Sequence, residues 1–340
     1  MPMSKTKTDK PEFYQSFMAE GFFPSGNKIT RFEESENYWI FKTGATIYKV
    51  KRPSGVHSAV SLEEIFCNEI TQQLQLHSPD LEAKVLTIKE ENGQYKIDWN
   101  ANLPAKPSYY LIAMKQLTDK GFLSNIIDKK KLTASIIAQV SDHLVAFHQK
   151  TKISQSKDVG TPDALKADLD NLIYQSKKFL GSTITKAIID MTSRPLEKYL
   201  VDNRKNFLRR IKQDRIRRVQ GCLIPRKIHV TKEGVNFLGR TSDPLKNQYK
   251  DVAADLADLT IELQSANLQE ISDLFVDNYC QSTGDKELKL VLPVYQALKC
   301  LLLGLKYSIQ ANHPGEKCSD EVKKQALDYY EQTIEVTRGL

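Results

Sequence analysis

Apolar residues in the first third of the chain recur at every second position, the period expected of β-strands that bury one face. Five stretches follow this alternation or form short apolar runs: 37–41, 45–51, 85–88, 95–99 and 109–114. The first two flank Lys42-Thr43-Gly44, and the next two flank Asn92-Gly93, a dipeptide typical of tight hairpin turns. The pattern predicts a β-rich N-terminal region built from antiparallel hairpins.

One helix is predicted among these strands. Ser61 precedes Glu64 by three residues, which is the capping-box signature of a helix start. Apolar side chains then recur at helical spacing through Leu62, Ile65, Phe66, Ile70 and Leu74. We therefore expect a single amphipathic helix in this region.

Beyond about residue 118 the apolar spacing becomes helical. The predicted helices cover 132–148, 163–180, 195–211, 251–268, 271–280, 288–310 and 321–337. A short hairpin, 228–230 with 235–237, is embedded among them. This order predicts an α+β fold of two lobes: a small β-rich N-lobe with one helix at 20–117 and a larger, mostly helical C-lobe at 118–340. The polar residues 1–19 are expected to form a flexible N-terminal tail.

Composition narrows the class of protein. The chain has 340 residues, enough for two lobes with cores of their own, and a mild net charge of +7. Its five cysteines are scattered without a CxxC pair, which favours free thiols in a reducing compartment over a disulfide framework or a zinc site. The most apolar stretch, 290–305, is interrupted by Pro293, Gln296 and Lys299, so we expect a buried helix and no membrane association. Because the N-terminus lacks the apolar core of a signal peptide, the expected location is the cytoplasm.

The strand predicted at 45–51 carries candidate chemistry. Alternation places Ile47, Lys49 and Lys51 on one face, where a lysine beside apolar side chains can bind a phosphate as a point charge. Glu69 borders the apolar stripe of the predicted helix and is in position to orient Lys49. Spacing by itself favours a simpler interpretation, in which the lysine lies on an edge strand and the glutamate is solvated.

The order of these parts, together with the sequence itself, resembles the aminoglycoside phosphotransferase-like family, whose domains have a protein-kinase-like fold. The resemblance rests on blocks that follow one another between about residues 20 and 310: ENYWIFKTGATIYKVKRPSG, IFCNEI, HSPDLEAKV, YYLIAMKQL, LVAFHQK, VGTPDALKADLDNL, RRIKQDRIRRVQGCLI and DVAADLADLTIELQ. In the branch of the family that this sequence resembles most closely, the kinase-like domain is often fused to a second, nucleotide-binding domain. The GxxxxGK(S/T) motif of that second domain is absent from this sequence.

The resemblance implies roles for individual residues. Lys49, with Lys51 beside it, would contact nucleotide phosphates, and Glu69 would be the helix partner of Lys49. Asp251 falls on the aspartate that opens the helix after the metal loop, which in this fold usually tethers the backbone of the catalytic loop. Structural roles are also implied for two further residues: Asp255 and His148.

The departures from the family fall where its chemistry resides. The family's catalytic loop reads His-Gly-Asp-Leu-His, then two residues, then Asn, whereas the matching run here begins Gln220-Gly221-Cys222. Cys222 replaces the aspartate that accepts the substrate hydroxyl proton, Lys227 replaces a magnesium-binding asparagine, and Gly239 replaces the metal-binding aspartate. Magnesium needs hard oxygen ligands, so this sequence predicts a degenerate catalytic loop without a metal site.

Two alternatives stay open at this loop. Asp243 lies four residues after Gly239, and a rearranged loop that brings it into the site would give an active, atypical ATP-dependent small-molecule kinase. Arginines near Cys222 would favour a reactive thiolate, although a buried, inert thiol is the expectation.

Basic residues cluster around the same loop. The predicted basic patch contains Arg209, Arg210, Arg217, Arg218 and Arg226. Such a patch would bind a nucleotide, a phosphorylated ligand or an acidic protein, and nucleic acid is disfavoured because aromatic residues are not interleaved with the basic ones. A solvated helix face is the simpler interpretation.

The sequence therefore predicts a pseudokinase, a kinase-like protein with a degenerate loop at 218–243 and without phosphotransferase activity. We expect ATP or another nucleotide to bind through Lys49, Glu69 and Lys51 without magnesium. The expected partner is another protein or a small phosphorylated ligand. An active kinase is the alternative, and a scaffold that uses only the basic patch is the weaker alternative.

Overall fold

The chain divides into two compact units, residues 1–125 with 236–242 and residues 126–235 with 243–340. The first unit therefore extends a few residues beyond the predicted N-lobe. The computed structural model describes residues 10–19, 22–23, 27–34, 38–52, 67–68, 70–72, 74–75, 78, 81–100, 107–238, 248–312 and 320–340.

The first unit is built on a six-stranded antiparallel sheet. Its strands are β1 Arg31–Glu34, β2 Tyr38–Lys42, β3 Thr46–Lys51, β4 Lys84–Glu91, β5 Gln94–Asp98 and β6 Tyr109–Lys115. They lie in the order β1-β2-β3-β6-β4-β5. The five predicted stretches are all present, and Asn92 and Gly93 both have positive φ, as the turn signal predicts. β1 was missed because it contains a single apolar residue, Phe32.

An aromatic cluster covers one face of this sheet. Tyr48 of β3 belongs to it, as do Phe13 and Phe17, which lie at the short N-terminal helix α1, Tyr14–Met18. The ring centroids of Phe13 and Phe17 are 4.9 Å apart, and both side chains are fully buried.

The prediction of a flexible tail at 1–19 is therefore wrong for residues 10–19. Burial of two phenylalanine side chains offsets the conformational entropy that is lost when this segment is ordered. The helix is not evident from the sequence, because Phe13 and Phe17 lie among lysine, glutamate and glutamine residues that give the segment a polar composition. Residues 1–9 lie outside the described residues.

The opposite face of the sheet is covered by helical residues among 67–75. Cys67 from this stretch and Ile112 from β6 belong to one buried apolar cluster. Because side chains alternate along β3, Lys49 lies on this helix-covered face. The predicted capped start of the helix, 61–66, lies outside the described residues.

The second unit is mainly helical. After the helical residues among 67–75 come α2 Leu123–Asp128, which begins in the first unit, and then α3 Ala134–Lys150, α4 Pro162–Ser176, α5 Lys186–Asp202, α6 Arg204–Lys212, α7 Ala253–Ser265, α8 Gln269–Thr283, α9 Leu288–Ala311 and α10 Asp320–Thr337. Three of them begin behind a threonine whose hydroxyl accepts a backbone N–H hydrogen bond: Thr133, Thr161 and Thr185.

One helix prediction is wrong. The stretch predicted at 195–211 comprises the second half of α5 and all of α6, with Asn203 between them. Pro195 lies inside α5, whereas proline more commonly marks the first turn of a helix. The true start of α5 is Lys186, behind the Thr185 cap.

Helix α9 is the one helix in the described part of the chain that is long and apolar enough to cross a membrane. Most of its apolar window is buried, and α7 and α10 pack along it. These contacts are those of a core helix, as predicted for 290–305.

Two short two-stranded sheets complete the fold. β7 Ile216–Arg218 pairs antiparallel with β10 Tyr249–Asp251, and β8 Ile228–Val230 pairs with β9 Val235–Phe237. The second pair is the predicted hairpin. β10 leads directly into α7, so its pairing with β7 brings the loop that follows β7 next to the start of α7.

Candidate functional site

The candidate site is the loop at 219–224, which connects β7 to the 3-10 turn Pro225–Lys227. Two consecutive residues of this loop have left-handed backbones, Gly221 with φ 57° and Cys222 with φ 96°. Positive φ is ordinary for glycine but strained for cysteine, whose Cβ crowds the backbone. Such strain persists only where surrounding contacts fix the conformation.

Asp255, near the start of α7, holds the first half of the loop. Its carboxylate accepts hydrogen bonds from the backbone N–H groups of Gln220 and Gly221, both at 2.7 Å. His148 of α3 contacts the same carboxylate, with Nε2 3.0 Å from Asp255 Oδ2, and its Nδ1 lies 2.8 Å from the Tyr279 hydroxyl. Burial raises the pKa of Tyr279, so this phenol keeps its proton and can donate it. Asp255 and His148 are both buried, and their contacts with the loop and with Tyr279 fit the structural roles that the resemblance implies for them.

Asp258, three residues further along α7, holds the second half of the loop. Its Oδ2 accepts hydrogen bonds from the N–H groups of Cys222 at 2.6 Å and Leu223 at 3.1 Å. Its Oδ1 lies 2.6 Å from Nζ of Lys299 on α9. Burial lowers the pKa of Lys299, but Asp258, Cys222 and Glu262 together raise it by more, so the net shift is upward and the ammonium stays charged.

Four successive backbone N–H groups, those of residues 220–223, therefore bind two carboxylates. Concave runs of backbone N–H groups of this kind are anion-binding nests. We call this arrangement the loop nest. The protein's own aspartates fill it, so the backbone of the loop is fixed without an external ligand.

A second set of buried charges, the ion cluster, joins α6 to β10 and to the segment before α9. Arg210 binds Asp251 through Nε at 2.6 Å and Nη2 at 2.7 Å, and Asp285 through Nη1 at 2.6 Å. Asp251 also accepts the N–H of Ala253 at 2.9 Å, and Arg215 lies 3.5 Å from Asp285. Burial lowers the pKa of Arg210, but the two carboxylates raise it by more, so the guanidinium stays charged.

These contacts correct two assignments made from the sequence. Asp251 does not tether the backbone of the candidate loop, because Arg210 and the start of α7 occupy its carboxylate and Asp255 performs the tethering. Arg210 does not belong to an exposed basic patch, because its side chain is fully buried between carboxylates.

The other members of the predicted basic patch are dispersed. Arg209 is exposed and pairs with Glu287 at 3.0 Å. Arg217 donates to three backbone carbonyl groups, those of Asp214, His148 and Thr151. Arg218 is partly buried, and Arg226 is exposed. The five arginines therefore do not form one continuous exposed surface.

Two of the positions to which the resemblance assigns chemistry carry a thiol and a cation. Cys222 is a free thiol that is partly buried, and Lys227 is partly buried in the 3-10 turn. Glu262 lies one turn after Asp258 on α7, and burial raises the pKa of its carboxyl group, although Lys299 and Arg226 lower it. Asp255 and Asp258 thus bind the loop, and Glu262 lies near the cations of Lys299 and Arg226.

These residues do not fit a magnesium ion. Each carboxylate oxygen of Asp255 and Asp258 already accepts at least one hydrogen bond or ion pair, and Lys227 is a cation where an amide ligand would be needed. Within the described ranges no group of three His, Cys, Asp or Glu residues could hold a metal. Gly239 and Asp243 lie outside those ranges, so the missing ligand at 239 and the rescue by Asp243 stay predictions.

In the first unit, Lys49 pairs in register with Ile40 of β2 and with Ile112 of β6. Lys51 is buried, and its Nζ lies 5.7 Å from the centroid of the Tyr38 ring, a cation–π contact. Glu69 lies outside the described residues, so its partnership with Lys49 stays a prediction.

Sequence reasoning missed Asp258 and Lys299 as parts of the site. Asp255 and Asp258 are three residues apart and so share one side of α7, a spacing that would have indicated a shared role. Lys299 lies on a different helix, and no local pattern connects it to Asp258.

The fold is similar to that of several solved phosphotransferases and kinases. The GDP complex of wild-type aminoglycoside 2'-phosphotransferase-IIIa matches with a TM-score of 0.58 and 10% identity, over 96% of this chain and 99% of that one. Choline kinase from Cryptosporidium parvum Iowa II matches with a TM-score of 0.56 and 9% identity, over 94% and 91%. A choline/ethanolamine kinase family protein from Mesorhizobium loti matches with a TM-score of 0.52 and 12% identity, over 97% and 100%.

These similarities confirm the predicted aminoglycoside phosphotransferase-like, protein-kinase-like α+β fold. At such low identity they concern the fold alone. Comparison with protein-family models and with curated protein sequences finds no match.

Proposed function

We propose that this protein is a pseudokinase that binds a nucleotide or another phosphorylated anion without transferring a phosphoryl group. The observation that carries the proposal is the loop nest. Asp255 and Asp258 fix the backbone of residues 220–223. In this proposal Cys222 stands where the sequence resemblance implies the proton-accepting aspartate of a phosphotransferase. A thiol is a poor acceptor for an alcohol proton and a poor ligand for magnesium.

The proposed nucleotide contacts are Lys49 and Lys51 on the helix-covered face of the sheet, with Glu69 as partner of Lys49. Lysine ammonium groups bind phosphate as point charges, so binding does not require magnesium. The proposed biological role is that of a binding module for another protein or a small phosphorylated ligand. A cytoplasmic location is part of this proposal, and it is supported by four free thiols among the described cysteines.

The test is the thermal stability of the purified full chain in the presence of ATP, with and without Mg²⁺. A ligand that binds only the folded state raises the melting temperature. We expect ATP to raise it to the same extent with magnesium as with a chelator. Lys49→Ala should abolish the shift, while Lys115→Ala, an exposed lysine of the same sheet, should retain it.

Two outcomes would contradict the proposal. A shift that requires Mg²⁺ and is accompanied by turnover of ATP would indicate an active kinase with rearranged acidic groups. Absence of a shift with any nucleotide or with inorganic phosphate would leave only the protein-binding role, without a ligand site at Lys49.

A further inference from the structure

One buried serine joins two segments of the first unit that are far apart in sequence. Ser78 Oγ accepts a hydrogen bond from the N–H of Phe237 at 3.0 Å and donates one to the carbonyl group of the same residue at 3.1 Å. Both side chains are fully buried, and both residues belong to the first unit. Paired strand residues exchange the same two kinds of bond, so the hydroxyl takes the place of a strand partner at the end of β9. We call this pair of bonds the serine latch.

The backbone of Ser78 is itself held by the end of the helix at 67–75. Its N–H donates to the carbonyl group of Leu74 at 2.7 Å, a bond four residues back as in an α-helix, and its carbonyl group accepts the N–H of Leu81 at 3.0 Å. Leu74 and Leu81 both belong to the buried apolar cluster on the helix-covered face of the sheet. Only rotation of the serine side chain or movement of the helix end would therefore release Phe237.

The residue that follows Phe237 reaches the face of the sheet that carries Lys49. Leu238 packs against the buried cluster that contains Ile112, and Ile112 lies opposite Lys49 in the pairing of β3 with β6. The Cβ atoms of directly opposed residues in an antiparallel pair are about 4.5–5.5 Å apart. The position of Leu238 is therefore coupled through this cluster to the surroundings of Lys49.

Loss of the hydroxyl would leave both backbone groups of Phe237 without their Ser78 partner in a buried place. Buried backbone groups that lack a partner cost free energy, so the segment that ends in Leu238 would open more often. Ser78 has no exposed surface and so does not contact a ligand. Any effect of Ser78 on binding must act through the segment that it holds.

We propose that Ser78 is a positioning residue for the nucleotide site, because the serine latch fixes Leu238 beside the face of the sheet that carries Lys49. This inference rests on the proposed binding of a nucleotide at Lys49. If the ligand binds only the latched arrangement, its apparent affinity falls in proportion to the population of that arrangement.

The first test compares two buried serines. Ser141, in the second unit, is also fully buried, and its hydroxyl donates to the carbonyl group of Phe275 at 3.5 Å. Isothermal titration calorimetry below the melting temperature of each variant should give a Kd for ATP about tenfold higher in Ser78→Ala, as expected if about a tenth of the molecules stay latched. Ser141→Ala should bind ATP as the wild type does. A serine that only stabilises the fold would lower the melting temperature and leave the Kd unchanged.

Hydrogen exchange tests the latch in the wild type and does not depend on the folding of a variant. If opening of the latch abolishes binding, ATP should slow exchange at the Phe237 amide by a factor of 1 + [ATP]/Kd, about tenfold at ten times the Kd. The amide of Gly93, in the exposed β4–β5 turn, should exchange at the same rate with and without ATP.

Two results would overturn this inference while the proposed function stands. One is equal affinity of the wild type and Ser78→Ala for ATP, and the other is exchange at Phe237 that ATP leaves unchanged in a wild type that binds it. A wild type that binds no ATP would overturn nucleotide binding and this inference together, so the two failures are distinguishable. Weaker binding by Ser78→Ala alone, together with slower exchange at Phe237, supports the positioning role.

Discussion

The loop nest and the ion cluster both hold buried carboxylates, but they stabilise them by different means. In the ion cluster Arg210 contributes a full positive charge to Asp251 and Asp285, and all three side chains are almost completely buried. In the loop nest four neutral backbone N–H groups carry most of the bonds, assisted by His148 and Lys299. The first arrangement joins secondary-structure elements, whereas the second shapes a loop.

The difference shows that the backbone conformation of the loop and the chemical nature of its side chains are determined separately. Every bond that the loop itself donates to the two aspartates comes from a backbone N–H group, so the nest orients residue 222 without selecting its side chain. The backbone at residue 222 can therefore stay fixed whatever side chain stands there, here a thiol. This separation is the physical basis of the proposed pseudokinase.

Arg210→Met should have the largest effect on stability. It leaves Asp251 and Asp285 buried without their cation, and loss of one partner of a buried ion pair costs about 3–5 kcal/mol. Urea denaturation measures the change in the free energy of unfolding. The neighbouring exposed pair provides the control, since Arg209→Met should cost about 1 kcal/mol or less. Equal losses for the two variants would contradict the distinction drawn here.

Asp255→Asn and Asp258→Asn should separate the two halves of the loop nest. Each asparagine keeps one acceptor oxygen in place of two. In Asp255→Asn one of the two loop N–H groups loses its acceptor, and in Asp258→Asn the amide NH₂ group must face either the loop N–H groups or Nζ of Lys299. A buried donor without an acceptor costs about 1–3 kcal/mol. Hydrogen exchange should accelerate at Gln220 and Gly221 in the first variant, and at Cys222 and Leu223 in the second. Uniform acceleration across all four amides in both variants would show that the nest is a single unit.

Cys222→Gly should stabilise the protein by about 1 kcal/mol, because glycine adopts positive φ without the strain imposed by a Cβ. Cys222→Ala retains the Cβ and should give no such gain. The melting temperatures of the two variants provide the comparison. A destabilised glycine variant would indicate that the thiol itself makes a contact that outweighs the strain.

Glu262→Gln should produce the smallest effect, and one that depends on pH. Burial raises the pKa of Glu262 in the folded protein above that of the unfolded chain, so the folded state binds the proton more tightly. The contribution of Glu262 to the free energy of unfolding is therefore fully present below the pKa that this group has in the unfolded chain. It is lost as the pH rises through the higher pKa that the group has in the folded protein. The glutamine variant should melt higher than wild type at neutral pH, and the difference should shrink in acid. A constant difference at all pH values would contradict this assignment.

Sequence signals that involve only neighbouring residues are sufficient to predict most of the strands and helices. The Asn92-Gly93 turn and the alternation in β3 were visible because they depend on neighbouring residues. The helix at the N-terminus was missed because Phe13 and Phe17 are stabilised by strands that are distant in sequence. The division between α5 and α6 was missed because the interior Pro195 resembles a helix start.

The site was less accessible to sequence reasoning. The resemblance predicts which loop carries the altered residues, and that assignment stays a prediction; it assigns the tethering role to Asp251, one turn before Asp255, and does not single out Asp258. Two aspartates one turn apart on the same segment cannot be distinguished without knowing which loop and which arginine lie beside them. Lys299 pairs with Asp258 and Arg210 pairs with Asp251, and the partners of each pair are about 40 residues apart in sequence. Such pairings arise only from the packing of elements that are distant in sequence.

The central claim is that a loop with a fixed backbone and a thiol at residue 222 does not transfer phosphoryl groups. The most direct test measures phosphate release from ATP by the purified full chain in the presence of Mg²⁺, alongside Lys49→Ala. We predict that both proteins release phosphate no faster than buffer alone, while ATP still raises the melting temperature of the wild type. Magnesium-dependent release by the wild type that is lost in Lys49→Ala would contradict the account.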